Sequence, residues 1–398
     1  MLNVIKLVFF FIISIIIVPS KKILVFGDRS GLRFADNSRY LFILMSSMKN
    51  FRCIWLTKSE KVVKEIKKKN LECYKSNSLK GMYYSLRAKW HIFNHSSRDI
   101  SEYFTNFRAQ INLWHSTPVK KFDNNNYQNT FLKNLIYRIK KIFFKEYLLL
   151  GNDEYSLHLL RHFPRDKYLK LITNLPRNII LNENNNKFDY FRTDYEKEVL
   201  KEIKLSKKKV IGYFPTFRDK RRELFFDYEN FDRIKSLNDF LKANNLIILF
   251  KMHQNSFKED KSKSYSIDNE KFNTYISKLS NFFSLDYECD LNSILSVCDL
   301  LVTDYSGVAF DYLFLDRPII FYCPDYEEYK IYPGLALDIE KQKFAYFSKN
   351  KENFEKQLKE FCFNENQFSR LHSSNRLQML NKIYPKKKIL DDILKIIN

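Results

Sequence analysis

Short apolar segments that predict strands alternate with helical patterns along most of this 398-residue chain. Predicted strands in the first half cover residues 23–27, 53–56, 90–93 and 111–114; those in the second half cover 210–214, 246–250, 300–302 and 319–322. Helical periodicity lies between them, for example at residues 60–69, 231–243 and 291–298. Strands that alternate with helices form parallel, doubly wound sheets. The sequence therefore predicts an α/β protein.

Chain length and one asparagine-rich segment predict two domains. A chain of 398 residues exceeds what a single hydrophobic core usually holds. Residues 182–187, with the sequence NENNNK, are the best candidate linker. We expect an N-terminal Rossmann-like domain at residues 21–187 and a C-terminal one at residues 188–398, facing each other across a cleft.

An apolar run at residues 7–18 precedes the first domain. It is slightly short for a relaxed bilayer span and has no A-x-A-like cleavage site. Lys21 and Lys22 follow it and favour keeping the next domain in the cytoplasm. Residues 1–20 are therefore predicted to be an uncleaved anchor or monotopic segment, which places the protein on the cytoplasmic face of the membrane. A buried strand or helix and a cleaved signal peptide are the alternatives.

The net charge of +22 favours anionic partners, whether phosphorylated ligands, acidic lipids or nucleic acid. Apolar residues recur at helical spacing over residues 131–150, interleaved with basic ones at Lys133, Arg138, Lys140, Lys141 and Lys145. This pattern is typical of an amphipathic helix on an anionic membrane surface. An ordinary surface helix of a lysine-rich protein is the alternative.

The six cysteines are scattered and form no C-x-x-C pair, so buried reduced thiols are expected rather than disulfides or a zinc site. No cluster of metal ligands is recognisable. We therefore predict no cofactor, although a divalent cation is compatible with the chemistry considered below. The sequence also lacks H-E-x-x-H, G-x-x-x-x-G-K-[ST] and G-x-S-x-G, which excludes zincins, P-loop NTPases and α/β-hydrolases.

Residues 300–322 carry the strongest functional pattern. A buried strand ends at Thr303 and Asp304, and Ser306 and Gly307 then open a predicted helix that runs to Leu315. This arrangement places unpaired backbone N–H groups at the carboxyl end of a sheet, where phosphates are commonly held. The alternative is that Asp304 and Ser306 only cap a structural helix.

Three other predicted strands also end in polar residues. The first is followed by His115, Thr117, Lys120 and Lys121, the second by Thr216 and Arg218, and the third by Lys251 and His253. Ligands of open α/β sheets bind outside the carboxyl ends of the strands, so these loops are expected to converge. A histidine there suits general-base work, while an arginine and a second histidine suit a phosphate that gains charge. The other histidines, His95 among them, have no comparable context.

Taken in order, these segments resemble the CDP-glycerol glycerophosphotransferase family, whose enzymes prime and polymerise teichoic acids and some capsules. The family patterns W-H-G-T-P-L-K, P-T-W-R-D and L-H-P are matched at residues 114–120, 215–219 and 252–254. Its patterns D-x-L-I-T-D-Y-S-S and D-x-x-x-L-D-[RK]-P are matched at residues 299–307 and 311–318. Residues 36–40 and 176–178 resemble two further family segments.

The resemblance implies a GT-B fold with an acceptor-side N-terminal domain and a C-terminal domain that binds a CDP-polyol. By position His115 matches the proposed base, and the second catalytic residue is His253. Donor-binding residues would be Thr216, Arg218, Lys251, Thr303, Asp304, Ser306, Gly307 and Asp311. The acceptor or membrane side would be formed by Thr117, Lys120 and the basic residues of 131–150. The sequence departs from the family patterns at Ser116, Ile179, Gln254 and Gly307.

The reaction implied is attack of an acceptor hydroxyl on the β-phosphorus of a CDP-polyol, most suitably CDP-glycerol, with release of CMP. The acceptor would be a lipid-linked saccharide or a growing polymer at an anionic membrane surface, with no nucleic-acid partner and an open oligomeric state. One alternative is a GT-B glycosyltransferase that uses a nucleotide-sugar. The other is a non-catalytic basic protein that binds membranes or nucleic acid.

Overall fold

The computed structural model describes residues 12–14, 16–101, 108–115, 117–121, 144–151, 169–182, 186–216, 231–251, 274–384 and 388–398. The chain forms two compact units. Unit 1 comprises Met1–Ser116, Phe122–Asp194 and Ile383–Asn398, and unit 2 comprises Thr117–Lys121 and Tyr195–Lys382. The boundary predicted at residue 187 lies shortly before the crossover at Asp194, and the C-terminal residues return to unit 1.

Unit 1 is built on a seven-stranded parallel sheet with the order β3-β2-β1-β4-β5-β6-β7. The strands are β1 Ser20–Phe26, β2 Arg52–Thr57, β3 Cys73–Lys75, β4 Ala88–Phe93, β5 Ala109–Asn112, β6 Glu146–Leu150 and β7 Leu169–Ile172. Its helices are α1 Asp36–Ser46, α2 Glu60–Lys67, α3 Leu79–Arg87 and the short α4 Ile179–Asn182. Short 3-10 helices lie at Arg29–Gly31, Ser97–Asp99, Pro176–Asn178 and Asn186–Phe191.

The helix α5 Asp194–Ser206 leads into unit 2, whose six-stranded parallel sheet has the order β10-β9-β8-β11-β12-β13. The strands are β8 Lys209–Tyr213, β9 Leu246–Phe250, β10 Phe282–Ser284, β11 Leu300–Thr303, β12 Ile319–Tyr322 and β13 Tyr346–Ser348. The helices are α6 Phe231–Ala243, α7 Val308–Tyr312, α8 Tyr326–Tyr329, α9 Lys351–Phe363, α10 Glu365–Arg370 and α11 Ser373–Ile383. The last helix, α12 Ile389–Ile397, belongs to unit 1.

The central strands are apolar runs because their side chains are buried on both faces, as expected in a parallel sheet. Every residue of β9 and β11 is buried. In unit 2 the core joins these strands to Phe354 and Leu358 of α9. Each such side chain contributes about 1.5–3 kcal/mol when it leaves water. The parallel α/β architecture predicted from the alternating pattern is therefore confirmed.

Several predicted elements differ from the structure at their ends. Strands β9 and β12 and the helix α6 match their predicted ranges. The helix predicted from Ser306 begins at Val308 and closes with a 3-10 turn, Leu313–Leu315. The helix predicted at residues 291–298 is wrong: two 3-10 turns, Leu291–Ser293 and Leu295–Val297, take its place. The six cysteines are free and five are buried, as predicted.

The helix predicted over residues 131–150 is wrong at its carboxyl end, where Glu146–Leu150 forms strand β6. Leu148, Leu149 and Leu150 are buried between β5 and β7, and this sheet pairing overrides the helical spacing. Lys145 directly precedes the strand. The other four basic residues of the pattern, Lys133, Arg138, Lys140 and Lys141, lie outside the described residues.

The predicted membrane anchor is described only from residue 12 onward, residue 15 excepted. Within the described ranges no helix combines the length and the apolarity needed to cross a bilayer, so a spanning anchor finds no support there. Arg108 holds the end of this segment on unit 1 by donating to the carbonyls of Ser14 and Ile17, both at 3.0 Å.

Candidate functional site

The carboxyl ends of three neighbouring strands form the polar centre of unit 1. Asp28 follows β1, His95 follows β4 and His115 follows β5, and the sheet order places β4 between the other two. Parallel strands end at the same edge of a sheet, so residues far apart in sequence meet there. The structure thus confirms that His115 lies at a strand end among other polar side chains.

The His115 ring lies between two other rings. Its centroid is 4.4 Å from that of His95, with 17° between the planes, and 4.4 Å from that of Trp114. The side chain is half-buried. Burial lowers the pKa of His115 well below its ordinary value of 6.5, and the positive charges of His95, Arg177 and Arg29 lower it further. A hydrogen bond to the backbone of Asn94 acts in the opposite direction. The imidazole is therefore unprotonated near neutral pH and can accept a proton.

The backbone that carries His115 is held by buried amides. Asn37 donates from its side chain to the carbonyl oxygens of Trp114 at 2.8 Å and Leu113 at 3.3 Å. The N–H of Trp114 donates to the side chain of Asn112 at 2.9 Å. Trp114 has a φ of +56°, in the left-handed region that residues with a Cβ seldom adopt. For this reason the strand predicted to end at residue 114 ends at Asn112, and the chain turns to present His115.

Arg177 fixes the same loop from the other side. Its guanidinium pairs with Asp36 at 2.8 Å and also donates to the carbonyl of His115. Its backbone N–H donates to the side chain of Asn37 at 3.1 Å. Both Asn37 and Arg177 are buried. The two segments that carry a weaker family resemblance, residues 36–40 and 176–178, thus serve to position His115.

His95 lies in a charged cluster that the sequence did not reveal. Its Nδ1 is 3.5 Å from both Asp28 Oδ1 and Asp99 Oδ2, and the two carboxylates are almost fully buried. Donor atoms of the three residues lie within 4.8 Å of one another, a spacing that a metal ion could bridge. However, Arg29 Nη1 lies 3.0 Å from His95 Nε2. Arginine only donates, so Nε2 accepts and the ring proton is on Nδ1, facing the carboxylates. The donor set is therefore a charge-paired cluster and does not fit a metal.

The carboxylates are fixed by contacts that do not involve the His95 ring. Asp99 accepts from the N–H groups of Ser30 and His95, both at 2.8 Å, and Asp28 accepts from the side chain of Asn94 at 2.8 Å. Gly27 allows this packing, because a Cβ there would lie 2.2 Å from the carbonyl oxygen of Asp99. The signal for His95 was present in the sequence: it follows a predicted strand just as His115 does.

In unit 2 the ends of β8 and β11 are joined by two hydrogen bonds. The backbone N–H of Thr216 donates to Asp304 Oδ1 at 2.8 Å. The hydroxyl of Thr303 donates to the carbonyl of Phe214 at 2.7 Å. Thr303 and Asp304 are buried, whereas Thr216 is half-buried. The structure therefore brings these three predicted residues together, and Thr303 and Asp304 shape the loops.

Ser306 and Gly307 precede α7 and are half-buried. The N–H of Val308 donates to Ser306 Oγ at 3.4 Å, whereas the N-cap residue of this helix is Gly307, which has no side chain to cap it. Asp311 is only 3% exposed, one turn into the helix. Lys251 follows β9 and is half-buried, with its ammonium group donating to the carbonyl of Cys289.

The remaining predicted residues fall into two groups. Arg218 and His253 lie outside the described residues. Thr117 is buried and Lys120 is exposed, and both belong to the short segment of unit 2 that follows His115. Lys120 forms a β-bridge with Leu335, and the N–H of Ala336 donates to the carbonyl of Val119 at 2.7 Å. This segment is therefore an integral part of unit 2.

Comparison with known proteins places these features in context. The profile of the family described as CDP-glycerol:poly(glycerophosphate) glycerophosphotransferase matches residues 9–383. The teichoic acid poly(glycerol phosphate) polymerase of Bacillus spizizenii is 26% identical over 329 residues, 78% of this chain and 76% of that protein. The teichoic acid glycerol-phosphate transferase of Staphylococcus aureus is 28% identical over 326 residues, with the same two coverages.

A solved structure of the wall teichoic acid polymerase TagF aligns with a TM-score of 0.65 at 21% identity, covering 95% of this chain and 89% of that one. This likeness shows a shared fold. The GT-B-like architecture of parallel α/β sheets, which the resemblance implied, is therefore confirmed.

Proposed function

This chain belongs to the CDP-glycerol:poly(glycerophosphate) glycerophosphotransferase family, and we propose on that premise that it moves glycerol phosphate from CDP-glycerol to a hydroxyl of a teichoic-acid polymer or a membrane-linked saccharide. CMP is the second product. The observation that carries the proposal is His115, an unprotonated, half-buried imidazole held rigidly at a strand end. The relatives named above act on glycerol phosphate, which favours a glycerol donor.

In the proposed reaction the acceptor oxygen forms a bond to the β-phosphorus of the donor. The bond between that phosphorus and the bridging oxygen of CMP breaks, and CMP leaves with the electron pair. The acceptor proton moves to a ring nitrogen of His115. A positioned general base of this kind contributes about 10²–10⁴-fold to a rate. The loop contacts of Asn37 and Arg177 support this role because they limit the motion of the ring.

We assign the donor phosphates to the strand ends of unit 2. The N–H groups around Ser306 and Gly307 and the hydroxyl of Thr216 are suited to phosphate oxygens, and Asp304 would keep the loop of Thr216 in place. Lys251 would contribute positive charge from the end of β9. Arg218 and His253 complete the proposed donor site on the basis of the family resemblance, His253 as the second catalytic residue.

Because the proposed acceptor is membrane-linked, we also assign a membrane-binding surface, which we place on unit 1. Ile12, Ile16 and Val18 are 51%, 71% and 69% exposed, although they are held firmly on the unit by Arg108. Basic residues lie at the amino ends of the neighbouring strands. Burial lowers the pKa of Lys89, and the nearby charges of Lys21 and Lys145 lower it further. Exposed apolar side chains beside clustered lysines suit an anionic bilayer surface, so we place attachment to the cytoplasmic membrane face here.

The test of the transferase proposal is CMP release by the purified full chain. With CDP-glycerol and a lipid-linked saccharide acceptor we expect release of CMP. With UDP-sugars, which a nucleotide-sugar glycosyltransferase would use, we expect no release of UDP. His115→Ala should lower kcat by about 10²–10⁴-fold, the range for loss of a general base. The matched control is His372→Ala, since His372 is a half-buried histidine packed against Tyr346 in unit 2. Wild-type turnover in His115→Ala would refute the base assignment.

A further inference from the structure

The stacked pair formed by His95 and His115 suggests a further residue that acts in the proposed transfer. The two ring planes are 17° apart at a centroid distance of 4.4 Å. Rings that lie face to face cannot form an in-plane hydrogen bond between their nitrogens. His95 therefore cannot pass a proton directly to His115, and its influence must be electrostatic and steric.

Both nitrogens of the His95 ring face charged side chains. Nδ1–H faces Asp28 and Asp99, and Nε2 accepts from Arg29. Burial lowers the pKa of His95, but hydrogen bonds to Asp28 and Asp99 outweigh this effect and raise it to about 9. A second proton can bind only at Nε2, and Arg29 must then give way. Near neutral pH the imidazolium and the guanidinium therefore both carry positive charge beside His115.

We propose that His95, stacked on His115, and Arg29 form a cationic layer beside His115, and that His95 is a positioning residue for the transfer. This inference rests on the proposed role of His115 as the base. A base must begin the reaction without a proton, and the layer enforces that state. When an anionic phosphate approaches His115, its negative charge offsets the layer and restores proton affinity at the moment when the base is needed.

Arg177 contributes a further positive charge beside the stack. It faces His115 and is paired with Asp36 at 2.8 Å. The carboxylates lie at the far Nδ1 end of His95. Among the described residues, the charged groups that these contacts place around the two rings are Asp28, Arg29, Asp36, Asp99 and Arg177. Removing the His95 ring or the Arg29 charge should therefore change the proton affinity of His115 measurably.

The experiment is an NMR titration of the full chain labelled with ¹³C and ¹⁵N in histidine. His115→Gln and His95→Gln identify the two ring signals by their absence. In the wild type we expect His115 to remain unprotonated below its ordinary midpoint of 6.5. In both His95→Gln and Arg29→Gln, the proton affinity of His115 should rise about tenfold, one pH unit in midpoint, because a neighbouring positive charge has been lost. Arg29→Gln leaves the stack intact, so it tests the charge even if His95→Gln destabilises the fold.

Activity measurements distinguish an electrostatic effect of His95 on His115 from a purely structural one. In His95→Gln the acid limb of the kcat/KM profile should move to higher pH along with the His115 titration, whereas a purely structural loss would lower activity equally at every pH. The control His372→Gln should leave both unchanged. An unchanged His115 midpoint in both His95→Gln and Arg29→Gln would overturn the inference while leaving the base assignment intact. A fully active His115→Ala would instead refute the proposed function on which the inference rests.

Discussion

Asp304 and Thr216 are joined by a hydrogen bond of 2.8 Å from the backbone N–H of Thr216 to Oδ1 of Asp304. This contact ties the loop after β8 to the loop after β11, the two loops to which we assign the donor phosphates. A similar contact lies at the amino ends of the same two strands, where Val210 N–H donates to Asp299 Oδ2, also at 2.8 Å. Variants of Asp304 and Asp299 both lose a hydrogen bond between the same two strands, but only Asp304 lies at the proposed donor loops. Comparing them separates an effect on the donor site from the general effect of losing a hydrogen bond.

We predict that Asp304→Ala raises the KM for CDP-glycerol by about tenfold, equivalent to about 1.4 kcal/mol and typical of a lost hydrogen bond to a charged group. The control Asp299→Ala should lower the urea midpoint of unfolding but leave the KM unchanged. Steady-state kinetics of CMP release measure the KM of each variant, and a urea titration measures the midpoint of unfolding. Equal KM values for the two variants would argue against a donor site at these loops.

Arg177→Ala should lower kcat by roughly 10-fold or more while leaving the KM for CDP-glycerol unchanged, because Arg177 positions His115 and mispositioning a catalytic group lowers the rate of the chemical step. Arg177→Lys should recover part of the loss by restoring the pair with Asp36. Arg52, which pairs with Glu72 at 2.7 Å on the exposed side of unit 1, provides the control variant Arg52→Ala. A donor KM that rises with Arg177→Ala would indicate a different role.

The lowered pKa of His115 predicts a pH dependence of stability. A folded-state pKa below the ordinary 6.5 means that the unfolded chain binds the proton more readily. The stability contribution is therefore present above pH 6.5 and is lost as the pH falls below it, by about 1.4 kcal/mol per pH unit at most. Urea unfolding at pH 7.5 and 5.5 should show a larger loss in the wild type than in His115→Gln. Identical losses would contradict a depressed proton affinity.

Membrane binding should depend on the exposed apolar residues at the start of unit 1. We predict that Ile16→Asp with Val18→Asp weakens flotation of the full chain with vesicles that contain anionic lipid. Lys89→Glu should remove much of the remaining, salt-sensitive binding, because each basic residue near an anionic surface contributes about 1 kcal/mol. Leu377→Asp is the control, since Leu377 is 59% exposed in unit 2. Equal binding by all variants would place the membrane contact elsewhere.

The sequence by itself determined the α/β class and the parallel sheets, because central strands buried on both faces must be apolar runs. It also placed His115, Thr216, Lys251 and Asp304 at strand ends, since the position of a loop after a strand is a local property of the chain. The ordered motifs identified the family before any contact was known. Residues 146–150 mark the limit of such local patterns, because pairing with β5 and β7 decided their conformation.

Only the tertiary structure decided which polar residues meet. Asp28, His95 and Asp99 come together because β1 and β4 are neighbours in the sheet and because Gly27 lets the turn at Asp99 approach, and neither fact is encoded in a local pattern. The same holds for Arg177, which reaches His115 across 62 residues of sequence. Proton affinity follows from these long-range contacts, because burial and neighbouring charges set it. The identity of the candidate base was therefore readable from the sequence, but its protonation state was fixed by the fold.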